Sequence, residues 1–169
     1  HGGTKHNIIP DEVKLEITCR SYSDAVRKAI LDGIRRIVRG TAIAAGIPDD
    51  RLPIVSVLDE SIPSTYNDPA LTREVALALT EALGAENVMK ADPVMGGEDF
   101  GCYGRTDPKV PISMFWLGAV PKAVHAKAME EKRTLPSLHS AEFAPDARTA
   151  IETGVVGMTA AVMRALKLK

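Results

Sequence analysis

The chain has 169 residues, a formal net charge of −1, 45% apolar residues and 4% aromatic residues. That length fits one ordinary domain or two small ones, with enough apolar residues for a buried core. Near-neutral charge and few aromatics argue against a nucleic-acid or charged-membrane partner, and no apolar run is long enough to span a bilayer.

The chain opens at His1, inside a strand–turn segment. No signal peptide is visible, and the compartment is left open. Residues 13–20 alternate, with Val13, Leu15, Ile17 and Cys19 on one side and Lys14, Glu16, Thr18 and Arg20 on the other. This pattern predicts a half-buried strand with one face on a core. Ser21 and Ser23 offer an N-cap for an amphipathic helix whose apolar stripe is Val26, Ala29, Ile30, Ile34, Ile37 and Val38. Arg35, Arg36 and Arg39 are expected near its C-terminal end, with Gly40 as its stop. Residues 52–58 read as a strand, at an edge or a start because of Pro53. Residues 61–68 are rich in turn formers and mark a domain boundary, dividing the chain into residues 1–62 and 63–169.

Asp68 and Pro69 then start a second helix that Gly84 can stop, with Val75, Leu79 and Leu83 on one face. Residues 87–91 read as a short strand, Gly96-Gly97 as a turn and 111–118 as a buried strand. The polar stretch 121–137 is expected to be a loop with a short helix near His125, and Glu130-Glu131 a solvated charge run. A last helix is expected from about Asp146 to Leu166, with Ile151, Val155, Met158, Ala161, Val162 and Leu166 inward. The fold class is therefore α/β. The two cysteines, Cys19 and Cys102, suggest neither a disulfide framework nor a Cys-rich zinc site.

Three places could carry chemistry. His139, in Leu138-His139-Ser140-Ala141-Glu142-Phe143, follows Pro136 and precedes the last helix. A loop histidine is most often a surface or capping residue, but a neutral imidazole held at a loop–helix junction can bind zinc. One histidine cannot hold a metal that needs about four ligands, and His1, His6 and His125 supply no ligand pair. Gly96-Gly97-Glu98-Asp99 either is a tight turn before a short helix or presents free backbone N–H groups to a ligand; two glycines permit close approach or positive φ. Asn7 and Arg20 come third. A guanidinium can take a carboxylate bidentately and an Asn amide can donate to a carbonyl, against the plainer readings of a solvated strand-end charge and a turn former.

Taken in order, Gly2-Gly3 with Asn7-Ile8-Ile9-Pro10-Asp11, Thr18-Cys19-Arg20, Gly96-Gly97-Glu98-Asp99-Phe100, Leu117-Gly118 and Leu138-His139-Ser140 resemble the zinc-dependent aminoacylase and amidohydrolase family. The similarity is strongest to hippurate hydrolases and N-acyl-amino-acid amidohydrolases, including those acting on auxin–amino-acid conjugates. The resemblance implies a catalytic domain with two divalent metal ions, zinc first among them, and a smaller inserted lid that makes a homodimer contact. Residues 1–62 would be the second half of that ferredoxin-like lid, and 63–169 the C-terminal part of the α/β catalytic domain. His139 would be the last metal ligand, and Asn7 and Arg20 lid residues reaching the substrate's carbonyl and carboxylate. Gly96, Gly97 and Glu98 would border the substrate pocket.

The family's His-rich metal motif, its paired glutamates and its middle histidine ligand have no counterpart in this chain. The glutamate pair includes the base that activates water. The expectation is thus a C-terminal portion, inactive alone, with at most one metal ligand and no catalytic base, from an enzyme cleaving N-acyl amino acids or similar conjugates. A metallo-exopeptidase or deacylase of the same family, and a non-catalytic ligand-binding or dimerisation module, are the alternatives.

Overall fold

The computed structural model describes residues 1–59 and 61–167. The chain divides into two units, His1–Ser64 with Val94–Asp99, and Thr65–Pro93 with Phe100–Lys169.

In the first unit, helix α1 spans Asp24–Ala44. Ser23 caps it, its hydroxyl accepting from the Val26 N–H at 3.3 Å. Gly40 does not end the helix as expected. The helix runs on to Ala44, the N–H of the following Ala45 reaches the Thr41 carbonyl at 3.0 Å, and a left-handed residue comes only at Gly46, φ 74°. The later stop leaves Arg35, Arg36 and Arg39 inside the helix, and its last turn carries no basic residue. Asp32 accepts from Lys28 at 2.5 Å and from Arg35 at 3.3 Å. The Lys28 hydrogen bond, with the two nearby positive charges, holds the Asp32 carboxyl below the usual range.

Residues 13–20 and 52–58 lie outside any helix. His1 and Lys14 exchange two backbone hydrogen bonds, both at 2.8 Å, and no longer ladder forms among the described residues. Val13, Leu15 and Ile17 are all exposed. The described residues supply no core for that face, because α1 buries only Ala42.

The second unit is built on two helices. Helix α2 spans Pro69–Leu83 with Pro69 in its first turn. The Asp68 carboxylate accepts from the Ala70 and Leu71 N–H groups at 3.0 and 2.9 Å. Gly84 follows at φ 90°, where a side chain would also collide with the Glu86 carboxylate, 2.6 Å from the Cβ position. A 3₁₀ turn, Ala85–Asn87, occupies the start of the expected 87–91 strand.

Residues 121–137 hold the short helix expected near His125. Helix α3 spans Lys122–Glu130 and buries Ala128. Ala, Lys, Met and Glu dominate it, so its helix comes from intrinsic propensity rather than from an apolar stripe. Helix α4 spans Ala147–Ala165, with the Asp146 carboxylate accepting from the Thr149 N–H at 3.4 Å.

Helix α2 packs against α4. Their core is Val75, Leu79 and Ala161, with Leu71, Leu83, Val88 and Phe115 partly buried around it. Gly157 makes the close approach possible: a Cβ there would lie 3.0 Å from Leu79 Cδ2. Of the expected inward stripe only Ala161 is buried, with Gly157 beside it in place of the larger residues. Ile151, Val155, Met158, Val162 and Leu166 are all exposed. Arg164 spans the helix pair to Glu81 at 2.6 Å and to Glu74 at 3.5 Å. The hydrogen bond to Glu81, then its charge, raises the Arg164 pKa.

The 111–118 segment reaches this core only in part. Ile112 is buried and Phe115 half-buried, while Trp116 and Leu117 are exposed. It is held by a side chain acting as a strand partner. The Asn67 amide donates to the Met114 carbonyl at 2.7 Å and accepts from the Met114 N–H at 2.8 Å. The Asp68 N–H adds a bond to the Ile112 carbonyl at 2.7 Å.

Candidate functional site

The first unit brings two of the sequence candidates together. Arg20 Nη1 donates to the Met95 carbonyl at 2.5 Å, across 75 residues of chain. The same nitrogen lies 3.7 Å from the position a Gly97 Cβ would take. The guanidinium thus sits against the Gly96-Gly97 turn, and both glycines are exposed. Neither takes a left-handed φ. Positive φ is therefore not the reason for glycine at either position. Glu98, next in the chain, is half-buried and leads into a 3₁₀ segment, Asp99–Arg105.

Asn7 is placed in a separate, exposed turn of the same unit, where the Ile8 N–H meets the Lys5 carbonyl at 3.5 Å. His139 belongs to the second unit. Its imidazole is exposed, in a turn closed by the Ser140 N–H to the Ser137 carbonyl at 2.9 Å and the Phe143 N–H to the Ser140 carbonyl at 3.1 Å. Three residues on, the Asp146 N–H bonds the Ala119 carbonyl at 2.8 Å, which ties the end of this loop to the 111–119 segment.

Among the described residues no three His, Cys, Asp or Glu side chains gather where they could hold a metal ion. The exposed His139 alone does not make a metal centre, since zinc takes about four ligands. What the placed residues can do is bind: a fixed guanidinium beside an open glycine backbone suits an anionic, amide-bearing ligand. Sequence reasoning missed the Met95 carbonyl as the partner of Arg20. A backbone acceptor leaves no mark on residue type, so nothing in the sequence could have found it.

The family model described as peptidase family M20/M25/M40 matches residues 16–141. The chain belongs to this family. Members are generally metal-dependent hydrolases. The chain is 33% identical over 86% of its length to thermostable carboxypeptidase 1 of Saccharolobus solfataricus, covering 33% of that protein. It is 32% identical over 76% of its length to an N-acetyldiaminopimelate deacetylase of Streptococcus thermophilus, covering 32% of that protein. A deacetylase of the same name from Leuconostoc citreum is 36% identical over 70% of the chain, and 28% of that protein is covered. The chain spans about one third of the length of the curated relatives it matches. No solved structure matches. No helix among the described residues is long and apolar enough to cross a membrane.

Proposed function

We propose that this chain is the substrate-binding, C-terminal portion of a metal-dependent amidohydrolase that cleaves the amide bond of N-acyl amino acids or similar conjugates. The observation that carries the reading is the Arg20 guanidinium seated at the Gly96-Gly97 turn, with both segments inside the family match. The relatives' names point to one shared chemistry. The carboxypeptidase and the N-acetyldiaminopimelate deacetylase are both named for substrates in which an amide nitrogen belongs to an amino acid with a free carboxylate.

In this reading Arg20 takes the substrate carboxylate and Asn7 its carbonyl, while Gly96, Gly97 and Glu98 border the pocket. An Arg site selects for the carboxylate, because an analogue lacking it leaves the guanidinium unpaired. His139 provides one ligand to a centre of two divalent metals, zinc first. The other ligands and the proton-shuttling base belong to the portion of the family polypeptide that this chain does not span, so the chain alone is inactive. Residues 1–62 belong to an α/β lid that pairs with a second copy, and 63–169 to the catalytic domain. The exposed apolar face Val13, Leu15 and Ile17 supports a partner layer packed on it.

The test is hydrolysis by the intact enzyme of an N-acetyl amino acid and of the same compound with its carboxyl capped as an amide. Arg20→Ala should raise KM for the acid about tenfold or more, as expected for losing a charged hydrogen bond, and leave metal content unchanged. An unchanged KM would show that Arg20 does not hold the carboxylate. The carboxypeptidase relatives favour a second reading, a metallo-exopeptidase. Faster turnover of dipeptides than of N-acetyl amino acids would select it.

A further inference from the structure

We propose that Arg20 is a positioning residue for the 94–99 turn, fixing the turn's backbone through the Met95 carbonyl. Three observations converge. Arg20 Nη1 donates to that carbonyl at 2.5 Å. Gly97 lies beside the same nitrogen, 3.7 Å from it at the Cβ position. Residues Val94–Asp99 group with the unit that holds Arg20, whereas the chain on both sides of them groups with the other unit.

The turn needs such an anchor. Met95, Gly96 and Gly97 are exposed, so burial does not order them. Two successive glycines have the widest backbone freedom of any pair, and ordering them is the costliest per residue. Neither glycine occupies a left-handed conformation that would define a tight turn type. A hydrogen bond from a cation is stronger than one between neutral groups. A guanidinium has five N–H donors, and one of them bonds Met95. Through this side chain, whatever anion binds Arg20 is linked to the backbone of the glycine turn.

The test reads the turn and not hydrolysis, so its failure is distinguishable from a failure of the proposed activity, which is read as KM. In amide-resolved NMR spectra of the wild-type chain, Arg20 side-chain protons should show cross-relaxation to the Gly96 or Gly97 amides. In Arg20→Ala those two amide signals should move toward random-coil glycine positions and lose their heteronuclear NOE, while α1 and α2 signals stay in place. Arg20→Lys, which keeps a cationic donor, should recover part of the shift. Glycine signals in Arg20→Ala that overlay the wild type would overturn the proposal. So would the absence of wild-type cross-relaxation, a measurement that does not depend on the variants folding.

Discussion

Truncating Leu79 to alanine tests where the second unit keeps its core. Leu79 is 7% exposed and packs with Val75 and Ala161, its Cδ2 at the surface that Gly157 leaves open. The change removes an isopropyl group, about 2.4 kcal/mol of transfer free energy at about 0.8 kcal/mol per carbon. The cavity left behind adds to this. The surrounding Leu71 and Leu83 are only partly buried and can move in, which keeps the total near about 3 kcal/mol, toward the low end for buried leucines. With a urea m-value of about 1.5–2 kcal/mol/M, the midpoint should fall by about 1.5–2 M. Far-UV circular dichroism and Trp116 fluorescence give the two curves. Ile151→Ala is the matched control: Ile151 is 65% exposed, so its cost should stay within about 0.5 kcal/mol. Equal losses for the two variants, or a Leu79→Ala cost under about 1 kcal/mol, would mean that α4 turns its large residues inward and that the Gly157 contact is not the core.

Three further outcomes are expected. Gly157→Val should destabilise the same unit by about 1–3 kcal/mol through overpacking against Leu79, and Gly157→Ala by less, because alanine regains up to about 1 kcal/mol of helix propensity; urea midpoints rank the two. Asn67→Ala removes both bonds to Met114 and should cost about 1–3 kcal/mol by orphaning a part-buried N–H and C=O, seen as faster hydrogen exchange at Met114. Asp32 has its pKa lowered in the fold, chiefly by the Lys28 hydrogen bond. Its contribution is therefore complete above its ordinary value of 3.8 and is lost as pH falls through the lower folded value. Thermal unfolding of wild type and Asp32→Asn should differ near neutral pH and converge in acid, and a gap that widens in acid would reverse the sign of the argument.

Much of the local structure was legible in the residues. Ser23, Asp68 and Asp146 each begin a helix, because a short side-chain oxygen satisfies N–H groups that a helix start leaves open. Gly84 ends one, because only glycine takes that backbone conformation without strain. Gly40 looks like a stop, yet an interior glycine costs only about 1 kcal/mol and does not break a helix whose backbone bonds continue past it. The apolar stripe of α4 looked like its core face, yet periodicity counts side-chain size and says nothing about how close a neighbouring helix can come. The short helix expected near His125 is present as α3, although its residues favour helix without forming a stripe.

The candidate site divides in the same way. Arg20, the glycine pair, Asn7 and His139 could be picked out one by one, since donor type, charge and backbone freedom belong to each residue. The family could be read from their order along the chain. Only the tertiary structure joined Arg20 to Met95 across 75 residues. It alone put Gly157, and not the larger residues of α4, against Leu79 of α2. Both are long-range contacts, one to a backbone carbonyl and one to the absence of a side chain, and neither is encoded by the identity of the residue that accepts it.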